Sequence, residues 1–147
     1  MASIQFNPYD SEHFDACLAL FDANCPAYFA PNERDEYARF LAADPSGYEI
    51  CTVDDNIRGA FGISMDGTRE ARLNWILLDP DVQGAGIGSA IMRRVLAASR
   101  AAGAQTLGIA TSQFASAFFA KHGASTTAVT ADGFGAGMDR VDMVIQL

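Results

Sequence analysis

The sequence predicts an α/β (α+β) fold in a single domain. Helical and strand-like patterns alternate along all 147 residues, and 50% of the residues are hydrophobic, which is enough for one sizeable core. A strand pattern, a glycine-rich turn and a helix pattern follow one another directly between residues 71 and 102. These observations assign residues 1–147 to one domain with the element order β-α-α-β-β-β-α-β-α-β-β.

The first half of the chain contains short strand patterns and two amphipathic helix patterns. Apolar residues recur at three- and four-residue spacing after Asp10, which predicts a helix capped by Asp10 or Ser11. A loop bracketed by prolines follows, and a second helix pattern stops at Asp44-Pro45. The predicted elements are a strand at 3–6, helices at 10–24 and from 32 to this stop, and strands at 48–53 and 57–65.

In the second half, an apolar strand leads into the glycine-rich turn. The helix that the turn opens is closed by Gly103, and a shorter helix farther along is closed by Gly123. The segment 131–137 contains three glycines around Phe134 and is predicted to be a flexible loop. The predicted elements are strands at 71–78, 106–111, 124–130 and 138–147, and helices at 87–102 and 113–122.

The glycine-rich turn predicts an anion-binding site. It reads Gln83-Gly84-Ala85-Gly86-Ile87-Gly88-Ser89 and lies between a strand and a helix N-terminus. Glycines remove the side chains that would keep a phosphate away from the backbone. The first N–H groups of a helix lack partners within the helix and are free to bind that anion.

Two nucleotide-binding motifs and a simple turn are alternatives for this segment. A Walker A loop requires a lysine that contacts the outer phosphates, and Ser89 follows the last glycine here. A dinucleotide fingerprint requires an acidic residue about 20 positions on. No Asp or Glu occurs between Asp81 and Asp132. A plain strand-to-helix turn needs one glycine, whereas three within five residues cost backbone entropy.

The segment resembles the acetyl-CoA-binding motif Q/R-x-x-G-x-G/A of the GCN5-related N-acetyltransferase (GNAT) superfamily. The resemblance extends to the preceding strand, which ends in Ile76-Leu77-Leu78-Asp79-Pro80, and to residues 112–124, which align with the family pattern N-x-x-A-x-x-F/L-Y-x-x-x-G-F. It covers residues 71–124 well. It implies a mixed central β-sheet with helices on both faces, and acyl transfer from a thioester to an amine.

The resemblance also implies which residues bind the co-substrate acetyl-CoA. The pyrophosphate is expected on the N–H groups of residues 84–89, and pantetheine along the strand that ends at Leu78. The Leu78 N–H is expected to polarise the thioester carbonyl. Arg93 and Arg94 are expected either to reach phosphates or to face solvent. The residues expected to contact the cofactor are Ile76, Leu77, Leu78, Gln83, Gly84, Ala85, Gly86, Ile87, Gly88, Ser89, Ser112 and Phe119.

The chain departs from the family pattern at its acid–base positions. The usual Asn is Ser112, and the usual Tyr is Phe119, which has no proton to donate and is expected to pack in the core. No acid occupies the strand position where many relatives carry Glu. Asn74, through a bound water, and Tyr28 are the remaining catalytic candidates. Glu33 borders the expected acceptor site, where a surface or capping role is expected for it.

Composition and charge limit the classes of molecule that the protein is expected to bind. The net charge of −8 and the lack of a basic run exclude a nucleic-acid partner, and no apolar segment is long enough for a membrane span. Three cysteines and two histidines show no metal-ligand spacing, so no metal site is predicted and free thiols in the cytoplasm are expected. The apolar strand at residues 141–145 suggests pairing with another copy as a homodimer.

The sequence thus predicts an N-acetyltransferase that moves an acetyl group from acetyl-CoA to a primary amine of a small molecule or protein. Phe119 and the missing strand Glu motivate an alternative, an acyl-CoA-binding module with weak or no transferase activity. A nucleotide-binding protein that uses the same glycine turn is a second alternative, which the missing Lys and ribose-binding acid oppose.

Overall fold

The fold is one seven-stranded sheet with four α-helices, seen in a computed structural model that describes residues 3–82, 84 and 86–147. Its element order confirms the predicted order, and the α/β class is confirmed with it. The strands are β1 (Ile4–Pro8), β2 (Tyr48–Val53), β3 (Asn56–Met65), β4 (Glu70–Leu78), β5 (Thr106–Thr111), β6 (Ser125–Gly135) and β7 (Met138–Gln146). The helices are α1 (Phe14–Asn24), α2 (Arg34–Ala42), α3 (Ile87–Ala101) and α4 (Ser116–Lys121).

The sheet is mixed, as the family resemblance implied. The strand order is β1-β2-β3-β4-β5-β7-β6, and the pair β4–β5 is parallel while the other neighbours run antiparallel. β7 lies between β5 and β6, so both of its edges are already paired. The prediction that residues 141–145 pair with another chain is therefore wrong, and β6 forms the sheet edge on this side.

Helices cover both faces of the sheet. Ala60 and Phe61 are consecutive in β3, and they contribute to different hydrophobic clusters because successive side chains of a strand point to opposite faces. On one face, Ile91 of α3 and Phe119 of α4 are buried with Phe61. On the other face, Phe21 of α1 and buried side chains of α2 pack with Ala60.

Several predicted boundaries differ from the structure. Residues 11–13 form a short 3-10 helix capped by Asp10, and α1 begins at Phe14. The predicted helix at 113–122 begins only at Ser116, after a turn. The predicted flexible loop at 131–137 is wrong: β6 continues to Gly135, and the Gly137 N–H bonds to Asp132 Oδ1 at 2.7 Å. β6 pairs with β7 at Thr130–Arg140 and again at Gly135–Met138, and the Asp132 N–H, which donates to Asp139 Oδ1 at 3.0 Å, helps hold the irregular segment between these pairs.

β4 is the irregular strand of the sheet. Ala60 faces Leu77 but Gly62 faces Asn74, so β4 contains one extra residue relative to β3 and forms a bulge. Trp75 lies in this bulge with a φ of +34°. Towards β5, residues 70–72 pair with residues 106–108, and the two strands separate beyond these pairs.

None of the helices in the described residues is both long and apolar enough to cross a membrane. Cys17 and Cys51 are buried as free thiols, and Cys25 is half-buried and also free. Burial raises the pKa of the Cys17 and Cys51 thiols to about 11.

We predict that Gly62→Ala destabilises the fold by about 1–3 kcal/mol, the usual cost of overpacking. A Cβ at Gly62 would lie 2.7 Å from the Gly47 carbonyl oxygen and 2.9 Å from the Tyr48 Cα. Both are backbone atoms, so neither can move aside as a side chain would. Chemical denaturation measures the free energy of unfolding. Ser64→Ala, at an exposed position of the same strand, is the control and should change it by less than about 0.5 kcal/mol. Equal stability of the two variants would contradict the prediction.

Candidate active site

A cleft of about 910 Å³ opens where β4 and β5 separate. Residues 72–78 of β4 form one wall, and residues 110–112, at and after the end of β5, form the opposite wall. The glycine turn before α3 and residues of the loop between α1 and α2 also line the cleft, and the part beside this loop is called the loop end below. The parting of two parallel neighbours therefore creates the space and exposes strand backbone inside it.

The glycine turn has the backbone conformation that its sequence predicts. Gly84 and Gly86 line the cleft with φ of +85° and +81°, values that side chains with a Cβ rarely adopt. A Cβ at either position would meet no atom within 4 Å, so this side of the turn is open. Gly86 immediately precedes α3, whose first N–H groups have no partners within the helix. Gln83 and Ala85 lie outside the described residues.

The first turn of α3 divides its side chains between core and cleft. Ile87 is 2% exposed and packs in the core, so it presents only backbone to a ligand at the turn. Gly88 lies against the ring of Phe118, where a Cβ would come within 2.9 Å of the ring edge. Ser89 lines the cleft, and its hydroxyl lies 3.4 Å from His122 Nε2.

Several basic side chains lie beside this turn. Burial lowers the pKa of His122, and the nearby charges of Lys121 and Arg93 lower it further. Lys121 also lines the cleft. Arg94 lies elsewhere: its Nε donates to Glu49 at 2.6 Å, and its guanidinium stacks 4.8 Å from the Phe6 ring. This end of the cleft therefore suits an anion, and Arg93 rather than Arg94 is the arginine near it.

The end of β4 presents a peptide N–H to the cleft. The Asp79 N–H donates to the Arg58 carbonyl at 2.7 Å, one residue beyond the pair of Leu78 with Gly59. In an antiparallel pair this pattern turns the Leu78 N–H away from β3 and towards the opening beside β5. Ile76 and Leu77 also line the cleft, although the Leu77 side chain packs among α1 and α2.

Asn24, which the sequence analysis did not single out, binds the carbonyl of the same residue. It is 3% exposed at the end of α1, and its Nδ2 donates to the Leu78 carbonyl at 3.0 Å and to the Leu20 carbonyl at 2.8 Å. Both amide hydrogens are thereby used. An Asn as the last residue of an amphipathic helix is ordinary in sequence, so only the tertiary contact reveals its role.

A buried tyrosine pair holds the bulge of β4. The Tyr48 hydroxyl donates to the Trp75 carbonyl at 2.6 Å, and the hydroxyls of Tyr37 and Tyr48 lie 2.8 Å apart. Burial raises the pKa of both tyrosines far above the ordinary value, so both hydroxyls keep their protons. The sequence analysis missed this pair because its residues lie on different elements.

The remaining candidates lie around the same cleft. Asn74 lines it from β4, and Tyr28 lines it from the loop, where its N–H donates to the Asn24 carbonyl at 2.8 Å. Ser112 is 3% exposed, and its hydroxyl accepts from the Phe114 N–H at 3.3 Å, so it shapes the turn before α4. Phe119 borders the cleft from the core.

The loop end of the cleft combines aromatic and charged groups. The ring of Phe29 stacks on that of Trp75 with centroids 6.1 Å apart. Asn32 Nδ2 donates to the Phe134 carbonyl at 3.1 Å and so joins β6 to this end. The lining side chains here are Tyr28, Phe29, Asn32, Glu33, Glu36, Arg72, Trp75, Phe134 and Arg140.

We predict that Gly86→Ala weakens acetyl-CoA binding about tenfold, because a left-handed residue with a Cβ costs about 1–2 kcal/mol and the turn can relieve it only by reorienting its N–H groups. Isothermal titration calorimetry measures the affinity. Gly103→Ala is the matched control, since Gly103 has a φ of +85° and equally open surroundings at the far end of α3. Weakening by both variants alike would count against a local role of the turn.

We predict that Tyr48→Phe lowers the acetyl-transfer rate more than Tyr37→Phe does. Tyr48→Phe leaves the Trp75 carbonyl without its donor, so the bulge is free to shift, at a cost of about 1–3 kcal/mol for an unpaired buried group. Tyr37→Phe keeps that donor. Steady-state kinetics on both variants provide the comparison, with the free energy of unfolding measured in parallel. Equal rates at equal stability would contradict the prediction.

Comparison with known proteins agrees with this geometry. A sequence model described as the Acetyltransferase (GNAT) family matches residues 17–124. A search of curated proteins found no match.

Three solved structures illustrate the structural likeness. A GCN5-related N-acetyltransferase from Kribbella flavida shares 18% identity at a TM-score of 0.77, with 98% of each chain covered. The ribosomal-protein-S18-alanine N-acetyltransferase from Escherichia coli shares 16% at 0.79, covering 98% of this chain and 94% of that one. The N-acetylglutamate synthase from Neisseria gonorrhoeae, solved with coenzyme A and N-acetyl-glutamate, shares 15% at 0.74, covering 100% of this chain and 36% of that one. At these identities the structures show the fold, whereas the sequence model spans most of the chain, and the chain therefore belongs to the GNAT family of acetyl-CoA-dependent acetyltransferases.

Proposed function

We propose that this chain transfers an acetyl group from acetyl-CoA to a primary amine of a small molecule or protein within the cleft between β4 and β5. The observation that carries the proposal is the edge of β4 that faces β5. Beyond residue 72 this edge has no pairs with β5, it lines the cleft, and the Leu78 N–H points from it into the cleft. Structurally similar proteins include a ribosomal-protein-S18-alanine N-acetyltransferase and an N-acetylglutamate synthase solved with coenzyme A. These support an amine acceptor and a coenzyme A donor.

The shape and charge of the cleft suit acetyl-CoA. We assign the pyrophosphate to the N–H groups of residues 84–89, where the glycines leave open space and the helix terminus favours an anion. Lys121 and Arg93 add positive charge at this end. We assign the pantetheine arm to the backbone of Ile76 and Leu78. There it would form the hydrogen bonds that a paired β5 would otherwise form.

The Leu78 N–H then faces the thioester carbonyl. As the amine attacks, negative charge develops on the carbonyl oxygen, and a fixed N–H donor is worth about 3–4 kcal/mol to such a transition state. Asn24 binds the carbonyl of the same residue and so limits rotation of the backbone at Leu78. We assign to Asn74 the role of orienting a water molecule. We assign Tyr28 to the loop end of the cleft, as a polar group that contacts the acceptor amine.

Phe119 favours a second candidate, an acyl-CoA-binding module with weak transfer activity. Its ring is 3% exposed, and phenylalanine has no proton for a departing thiolate. The coenzyme A thiol is acidic enough to leave without a dedicated donor, so we rank the transferase first. Release of free coenzyme A that depends on an added amine, tested on a panel of small amines and peptides, separates the two candidates.

Two further observations support proposals about where the enzyme acts and whether it forms a dimer. The buried free thiols of Cys17 and Cys51 suit the reducing cytoplasm, where acetyl-CoA is also available, and we propose that the enzyme acts there. We assign pairing into a homodimer to edge strand β6, whose residues 125–133 are exposed and whose outer edge is open among the described strands.

We predict that acetyl-CoA raises the melting temperature and that ATP and NAD do not. At about 100 times the dissociation constant, binding adds about 2.7 kcal/mol of stability, which corresponds to several degrees for a domain of this size. Differential scanning fluorimetry with each ligand in excess measures the shift. No shift with saturating acetyl-CoA would overturn the proposed function, and an equal shift with ATP or NAD would favour a general nucleotide site.

A further inference from the structure

The loop end of the cleft contains a buried carboxylate. Glu33 is 6% exposed although it lines the cleft, and it is the acidic residue found buried among the described residues. A carboxylate loses favourable hydration when it is buried and is kept ionised only by compensating contacts. The sequence analysis expected a surface or capping role, and capping accounts for only part of what the structure shows.

One oxygen of Glu33 is held by the backbone. Its Oε2 accepts from the Ala30 N–H at 2.8 Å, closing the short 3-10 helix that precedes α2. Among the described residues no hydrogen bond to Oε1 is present, and the side chain borders the cleft. The contact to Ala30 therefore orients the carboxylate and leaves one oxygen for a ligand.

The loop that carries this carboxylate is tied to the reacting end of β4. The N–H groups of Tyr28 and Phe29 donate to the Asn24 carbonyl at 2.8 and 3.2 Å, and Asn24 in turn bonds to the Leu78 carbonyl. Phe29 also stacks on Trp75 in the bulge. These contacts attach the first part of the loop to the end of β4, and Glu33 follows four residues after Phe29.

The electrostatic surroundings tune this group. Burial raises the pKa of the Glu33 carboxyl above its ordinary value, the Ala30 N–H partly offsets this, and the Glu36 carboxylate raises it further. The other titratable or charged groups near it are Cys25 and Tyr28 in the loop, and Arg72 from β4 and Arg140 from β7, which line the same cleft. A raised pKa makes the carboxylate a stronger base, which favours proton transfer from an amine.

We propose that Glu33 is the general base of acetyl transfer, a role that rests on the proposed function. Its Oε1 takes one proton from the acceptor ammonium, and the freed nitrogen attacks the thioester carbonyl carbon to form the C–N bond. The tetrahedral intermediate collapses as the C–S bond breaks. The second proton lost from nitrogen passes through water to the thiolate, and the first leaves Glu33 for solvent. The products are the amide, the free thiol and one proton.

We predict that Glu33→Gln lowers kcat by about 100-fold or more, the usual contribution of a general base, and leaves the KM for acetyl-CoA unchanged. The Gln side-chain oxygen still accepts from the Ala30 N–H, so the loop is expected to keep its shape. Asp35→Asn is the matched control, because Asp35 is exposed at the start of α2, two residues from Glu33, and is not among the described residues that line the cleft. It should keep kcat within about threefold, since an exposed carboxylate outside the cleft interacts only weakly with the reacting groups.

The pH profile is the decisive readout. In the wild type, kcat should fall as the pH drops through the raised pKa of Glu33, at a pH above about 4.3, the ordinary value for Glu. Glu33→Gln should lose this acid limb, and Glu36→Gln should move it to lower pH. If Glu33→Gln does not fold, two measurements remain: the fall of wild-type kcat at low pH, and the shift of that fall to lower pH in Glu36→Gln.

Failure of the inference differs from failure of the proposed function. A wild-type enzyme that acetylates amines, while Glu33→Gln keeps both its rate and its acid limb, would overturn the role of Glu33 alone. An acid limb that Glu36→Gln removes and Glu33→Gln retains would overturn it as well. A wild-type protein that neither binds acetyl-CoA nor releases coenzyme A with any amine would overturn the function on which the inference rests.

Discussion

The separation of β4 from β5 is the constraint on which the rest of this structure depends. The strands pair over residues 70–72 and 106–108 and then diverge, as β4 acquires a bulge at Trp75. A bulge increases local twist and redirects a strand. The positive φ of Trp75 is unfavourable for a bulky residue, so the surroundings must stabilise it. The hydrogen bond from Tyr48, backed by Tyr37, supplies that stabilisation from the core.

The two helical layers perform different tasks around this opening. α3, on one face, brings its N-terminus and the glycine turn to the cleft, with Lys121 at the end of α4 and His122 directly after it nearby. α1 and α2, on the other face, bring the loop with Glu33 to the cleft. The loop end carries acidic and basic side chains together, namely Glu33, Glu36, Arg72 and Arg140. Among these side chains, Glu33 is the buried one, so it differs from the other three in its surroundings rather than in its charge alone.

Much of this arrangement was accessible from local patterns. The element order follows from hydrophobic periodicity, and the glycine turn follows from the need for positive φ at Gly84 and Gly86. Departures occur where long-range contacts outweigh local preference. The glycine-rich segment around Phe134 has the sequence of a loop, yet β6 pairs with β7 on both sides of it, at Thr130 and at Gly135, and Asn32 donates to the Phe134 carbonyl. Asn24 and Tyr48 carry no signal in a single sequence, because their partners lie 54 and 27 residues away.

The sequence by itself determined the α/β class, the order of elements and the place of the glycine turn between β4 and α3, since each depends on residues that are near neighbours in the chain. The tertiary structure alone decided that β7 is an inner strand, that the Leu78 N–H faces the cleft, and that Glu33 is buried beside it. Those properties depend on sheet register and on which loop packs against which strand. Register and packing are set by contacts between residues far apart in sequence, so local periodicity does not encode them.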